Sequence, residues 1–268
     1  MTVTPPLTST ADNPGRRTPR GERKSAPRLI FALAAAEIGV FLRQPVIIAL
    51  TLLLPAGLLA ITALGPTSGG AELWAETAGR NMVATQCITV YFVALNTLTA
   101  RRHTLALKRL RSTSLPSAGI VAGLLVPPLL VGGFQIVVIF AGMMLLGAPA
   151  PQRPLLVAIS AVLGMSVAAL AGVMTSGFTA TPEKAQWTMM PLFVAALGAT
   201  AVLPVVDAGL AVAVRAVPLV ANAHLAAAGW YSATEDVGAV ALDLIYIVAW
   251  GGFFALISWK TFRWERRH

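Results

Sequence analysis

A single cysteine, Cys87, stands in the whole chain, and it lies inside a long apolar stretch. No disulfide can form within the chain, so a disulfide-stapled scaffold is excluded. Histidine is nearly as scarce: His103, His224 and His268 are far apart and have no Cys or carboxylate at ligand spacing, so no metal centre is expected. None of the four lysines sits in a Gly-x-x-x-x-Gly-Lys-Ser/Thr arrangement, so the chain alone cannot cradle ATP phosphates and carries no cofactor site of that kind. Gly-x-Ser-x-Gly is missing as well, and the adjacent Glu235 and Asp236 read as a solvated turn, so the chain is not expected to be an enzyme. Charge is the last shortage. Asp, Glu, Lys and Arg make up 12% of the sequence against 56% hydrophobic residues, far too apolar a balance for a soluble domain.

What the sequence has instead is long apolar runs. A bilayer crossing takes roughly 20 helical residues, and six stretches are long enough: about 46–64, 82–100, 120–147, 155–177, 187–206 and 239–258. They are continuously apolar and do not alternate, which disfavours a β-barrel. The third is over-long and contains Pro127 and Pro128, so its first part is expected at the interface or in a kinked turn ahead of the true span. Basic residues accumulate in cytoplasmic loops. With both termini inside, the segments 1–45, 101–117, 178–186 and 259–268 hold seventeen of the twenty Lys and Arg residues, leaving Arg80, Arg153 and Arg215 outside. This places a multi-pass protein in the cell (cytoplasmic) membrane with both ends cytoplasmic. The net charge of +9 follows from topology and attraction to anionic lipid, and is no sign of nucleic acid.

Residues 1–27 hold no apolar run and are expected to be a disordered cytoplasmic tail. The remainder, 28–268, is one transmembrane domain. In 28–44, Leu29, Ile30, Leu33, Val40 and Phe41 can share a helical face while Arg28, Glu37 and Arg43 are polar. That pattern reads as an interfacial helix ended by Pro45, or as an N-terminal extension of the first span. Residues 207–238 contain Leu210 to Val220 and His224 to Trp230, apolar but too short to cross, which are placed as re-entrant or interfacial helices on the outer side, punctuated by Pro218 and Gly229.

Polar residues within the spans are few. Thr85, Gln86, Thr89, Asn96 and Thr97 recur at helical spacing on one side of the second span, where they either bond a neighbouring helix or line a substrate path. The fifth span offers Trp187, Met189, Met190, Pro191 and Phe193, bulky surface that suits apolar ligands and packs equally well against lipid or core. Asp243 stands about a turn inside the last span, where water can reach it, and reads as an acid favoured by the helix dipole.

The densest internal run of basic charge, residues 101–117 (RRHTLALKRLRSTSLPS), is leashed between two uncharged spans. Leu105, Leu107 and Leu110 can anchor it while Lys108, Arg109 and Arg111 meet acidic groups or lipid phosphates; fixing topology is the alternative role. The run from Leu107 to Leu115 resembles the L-K-R-L-R-x-T-P-L loop of the permease subunits of ABC exporters, the ABC type 2 family, with Ser114 where proline is usual. An acidic residue and a glycine usually stand shortly before that loop; His103 and Leu105 occupy those places here. Glu37 followed by Arg43-x-Pro45, Pro204, Pro218 and the ending Phe262-Arg263-Trp264 occur in the order such permeases show, so the resemblance extends over about 28–268.

The resemblance implies an all-α integral membrane protein. Its parts would be six transmembrane helices, an N-terminal interfacial helix over 28–44, a cytoplasmic coupling helix over 101–117 and short external re-entrant helices. It implies that Leu105, Leu107, Lys108, Arg109, Leu110 and Arg111 couple the spans to a separate ABC ATPase subunit, with Glu37 and Arg43 on the helix beside them. ATP and Mg would be held by that partner. Six spans are few for an exporter, so a homodimer or a heterodimer with a related permease is expected to build the conduit. The cargo expected from apolar spans without fixed charge is a hydrophobic or amphiphilic drug, antibiotic or lipid, with Thr85, Gln86, Thr89, Asn96, Met190 and Phe193 as candidates along its path. A secondary, ion-coupled carrier that depends on Asp243 and a membrane scaffold protein are the alternatives.

Overall fold

The computed structural model describes residues 31–65, with gaps at 33, 37, 40–42 and 44, and residues 70–104, 117–232 and 236–261. Every regular element among them is helical. The helices are α1 (Pro45–Leu64), α2 (Gly70–His103), α3 (Ser117–Leu145), α4 (Pro154–Phe178), α5 (Pro182–Val202, prolonged by a 3-10 turn Leu203–Val205), α6 (Ala208–Arg215), α7 (Val220–Trp230) and α8 (Val237–Thr261). α2, α3, α4, α5 with its 3-10 turn, and α8 are long and apolar enough to cross a membrane. α1 is a 20-residue apolar helix, whose part Thr51–Leu64 is by itself short of a crossing. In lipid every backbone polar group must be satisfied inside the protein, which helices alone achieve here. Over the described residues the chain is an all-helical membrane protein.

Short-range chemistry sets the helix ends. Pro154 and Pro182 open α4 and α5 at positions where a missing N–H removes no bond. Asp207 caps α6 by accepting from the Leu210 N–H at 3.0 Å, and Asp236 caps α8 through the Ala239 N–H at 2.9 Å. α3 ends at Gly147, whose φ of +104° lets its N–H reach the Met144 carbonyl while the Ala148 N–H reaches that of Met143. Leu219, the one non-glycine among the described residues to do so, holds a left-handed φ of +70° at the joint between α6 and α7, a conformation that costs about 1–3 kcal/mol. There the chain bends by 118°.

Several expectations are corrected. α2 begins at Gly70, far ahead of residue 82, so part of the expected outer loop is helix. Its charged first turns hide the start from a hydropathy reading, yet Trp74, Ala75 and Ala78 on one face are buried against neighbouring helices. α3 is one continuous helix with Pro127 and Pro128 inside it, both buried, so no turn breaks it there. Gly229 punctuates nothing, because it lies within α7 and packs there: a Cβ would meet the Val157 side chain at 2.9 Å. Pro218 does fall in the joint between α6 and α7. The described positions between 31 and 39 are helical, with Phe31 exposed and Ala34 buried.

α7, too short to cross, lies at the centre of the molecule. Ala221, Ala223, Leu225, Ala226 and Trp230 are buried, chiefly against α2 and α4. Small residues make this possible by letting backbones approach, as is usual between helices in membranes. Gly79 of α2 faces the Ala223 carbonyl, and Gly172 of α4 faces Ala94 and the Tyr91 carbonyl of α2. Phe140 meets Trp230 edge to face at 4.9 Å, tying α3 to the end of α7. Around this centre α5 and α8 leave most of their apolar surface exposed, including Trp187, Val194, Ile245 and Val248.

Candidate functional site: two cavities at opposite ends of one helix

Within α2 a π-helical stretch, Gln86–Tyr91, interrupts the α-helical winding. A wider turn shifts the register of the residues beyond it, and such stretches occur often at functional sites. The polar stripe read from the sequence is therefore divided among different neighbours. Thr85 is buried and donates to the Asn81 carbonyl of its own helix at 2.9 Å. Gln86 is buried against α7, accepting from Asn222 Nδ2 at 3.0 Å. Thr89 turns toward α3 and donates to Gln135 Oε1 at 2.5 Å, while Gln135 Nε2 donates to the Thr51 carbonyl at 2.8 Å. One glutamine thus joins α1, α2 and α3.

Beside that junction lies a groove of about 930 Å³ between α1, α2 and α3. Its walls are chiefly apolar, and its polar groups come from Thr51, Thr89, Asn96, Thr97, Gln135 and Arg101. Pro127 and Pro128 belong to the α3 wall. The groove takes an apolar guest with a few hydrogen-bonding groups, since its scattered amides and hydroxyls fix orientation while the walls supply contact area. Arg101, the first residue of the basic segment, adds a positive charge in the last turn of α2.

The other cavity, about 290 Å³, lies at the opposite end of α2, lined by Glu76 and Arg80 of that helix. Thr200, Arg215, His224 and Asp236 also face it. Behind it Asp243 is completely buried in α8, contrary to the expectation that water reaches it. Its two carboxylate oxygens hold two different helices. Oδ1 faces Arg215 Nη1 of α6 at 3.4 Å, and Oδ2 faces His224 Nδ1 of α7 at 2.5 Å. A carboxylate buried this deeply needs such partners, because an unpaired charge in an apolar interior is strongly disfavoured. Neither partner was legible from spacing, since they stand 28 and 19 residues away.

A further buried cation sits at the other end of α2. Arg102, within the basic segment, donates through Nη2 to the carbonyl of Thr179 in the turn between α4 and α5. Thr179 in turn shares a 2.8 Å hydrogen bond with Thr188 of α5. Arg102 is thus an internal tie between α2 and the α4–α5 turn, a role the sequence did not signal.

The remaining predicted site residues distribute as follows. Asn96 lines the groove beside Thr89. Phe193 packs against the main core and Met190 is half-buried; neither lines the groove or the second cavity. Arg43 is exposed in the turn before α1. Glu37, Leu105, Leu107, Lys108, Arg109, Leu110 and Arg111 lie outside the described residues. Among the described residues, no group of three or more His, Cys, Asp and Glu is placed to hold a metal ion. No protein-family model matches the chain, and no curated protein matches it.

Proposed function

We propose that the chain is the transmembrane permease subunit of an ATP-binding cassette exporter, moving a hydrophobic or amphiphilic compound outward across the cytoplasmic membrane. Both termini are cytoplasmic in this reading, and a separate ATPase subunit binds ATP and Mg. The observation that carries it is the 930 Å³ groove, whose α2 wall runs through Arg101 directly into the basic segment 101–117. A push delivered to that segment acts on the wall of the groove. The resemblance of Leu107 to Leu115 to the permease loop supplies the partner, and two permease chains complete the conduit.

Co-purification from the native host in mild detergent tests this. An ATPase with a phosphate-binding loop should accompany the wild-type chain, and Leu107→Asp should lose it or uncouple hydrolysis from transport. Intact, transport-active protein that carries no ATPase would sink the proposal.

A second reading, an ion-coupled carrier, draws on one observation: Asp243 is buried and contacted by two basic side chains. Ionisable groups inside membrane proteins commonly serve ion or proton movement. Transport driven by a proton gradient in vesicles without nucleotide, and abolished by Asp243→Asn, would favour it over the exporter.

A further inference from the structure

The joint between α6 and α7 combines four features. Leu219 holds a left-handed backbone and is itself buried, so the bend is fixed by its surroundings. α6 is only eight residues long and ends at Arg215. Its polar ties to α8 are few: Arg215 to Asp243, the Trp250 Nε1–H to the Ala216 carbonyl at 2.8 Å, and the Tyr246 hydroxyl to the Val212 carbonyl at 3.4 Å. Finally, the 290 Å³ cavity lies alongside, lined by both Arg215 and His224.

Asp243 is the one carboxylate in contact with Arg215 and His224 among the described residues. An ionised carboxylate only accepts, so the short contact requires that His224 Nδ1 carry a hydrogen. Arg215 is always charged, and with a neutral imidazole the three groups sum to no net charge. Protonating the ring at Nε2 adds a cation whose Nδ1 lies only 3.4 Å from Arg215 Nη1. Two adjacent cations then share one carboxylate and repel each other. His224 holds it at 2.5 Å and Arg215 at 3.4 Å, so the arginine is the weaker competitor. The cavity offers it somewhere to go, since Glu76 and Asp236 line the same space.

We propose that His224 is a proton-operated latch: its protonation displaces Arg215 from Asp243 into the cavity and frees α6, at the Leu219 joint, from α8. The charged groups that bear on the ring are Glu76 and Arg80 from α2, Arg215 from α6, Asp243 from α8 and Asp236 ahead of α8. α5 brings Thr200 to the cavity, and α4 lines none of it. Arg80 donates to Thr77, while Glu76 and Asp236, whose Oδ1 caps α8, supply carboxylates to the cavity lining for a displaced guanidinium. The ring is 33% exposed, so a proton reaches it from the cavity without the helices separating first. Histidine is the side chain whose charge ordinarily changes in the range through which such a latch would work. The latch depends on neither transport reading.

Hydrogen–deuterium exchange on the full-length protein in lipid nanodiscs tests it, comparing about pH 7.5 with about pH 5.5, the range of histidine titration. Corrected for the intrinsic rate, exchange across residues 208–217 should rise several-fold on acidification in the wild type, while residues 154–178 stay flat. His224→Gln keeps an N–H donor for Asp243 but cannot gain a charge, so its exchange across 208–217 should stay low at both pH values. Asp243→Asn removes the charge that holds Arg215, so exchange there should be high at both. Equal exchange at the two pH values in the wild type would overturn the proposal. So would a fall on acidification, or a wild-type response that persists in His224→Gln.

Discussion

The Cβ that Gly79 lacks would stand 2.4 Å from the carbonyl oxygen of Ala223, so α2 and α7 are in backbone contact at this point. The obstacle is main chain and cannot rotate away. Gly79→Ala should therefore be destabilising, by about 1–3 kcal/mol as for other overpacked sites, despite alanine's better helix propensity. Gly198, on the exposed side of α5, has nothing within 4 Å of the same position. There Gly198→Ala should stabilise by up to about 1 kcal/mol, the usual helical difference between the two residues. Thermal unfolding of both variants in one detergent reads the contrast directly.

Arg102 gives a second expectation. Removing its guanidinium with Arg102→Ala strands the Thr179 carbonyl and loosens the turn between α4 and α5. A hydrogen bond from a charged donor contributes about 1.5–3 kcal/mol, and the melting temperature should fall accordingly. Tryptic cleavage after the exposed Lys184, just beyond the turn, should accelerate in the same variant. The variant Lys184→Ala should leave the melting temperature unchanged, because it touches no internal tie.

The junction at Gln135 can be measured as a coupling. Thr89→Val takes away the donor to Oε1, and Gln135→Leu removes that bond together with the one to Thr51. A double-mutant cycle should give a coupling of about 0.5–1.5 kcal/mol, the range found for interhelical hydrogen bonds in membranes. Binding of a fluorescent amphiphile should also weaken in Gln135→Leu if it occupies the groove, and stay unchanged in Met190→Leu, whose side chain lies away from it.

Orientation is accessible because the lone native thiol is sequestered. Cys87 is fully buried and should not react with a membrane-impermeant maleimide until the protein is denatured. Single cysteines placed by Gln152→Cys and Lys184→Cys then report without background. In the proposed topology, residue 152 labels in intact cells and residue 184 labels only after permeabilisation.

Six apolar stretches were legible in the sequence, and a helix stands at each of them, because continuous apolarity over a bilayer's width has few other solutions. The start of α2 was hidden: Glu72, Glu76 and Arg80 interrupt the hydropathy signal, although Trp74 and Ala78 are buried by α3 and α7. The double proline suggested a turn ahead of the span, yet α3 continues as a helix through both rings. For the polar residues the pattern located the stripe in the second span but not its partners. The π-helical stretch sends Gln86 to α7 and Thr89 to α3, and nothing local announces a register shift. Asp243 was visible as a residue and invisible as a junction. Its contacts with Arg215 and His224 exist only because the joint at Leu219 folds α7 back beside α8.

One consequence follows from the 34 residues of α2. At 1.5 Å per residue the helix is about 51 Å long, whereas the hydrocarbon of a bilayer is about 30 Å thick. A helix of this length that crosses a bilayer at ordinary tilt carries its charged ends beyond the hydrocarbon on both sides. It is a single rod with the larger cavity on one arm and the smaller on the other. The two cavities therefore share one helix as a wall, and a shift of that helix is felt in both. The π-helical stretch, Gln86–Tyr91, begins beyond the lining of the smaller cavity and supplies Ile88 and Thr89 to the wall of the larger.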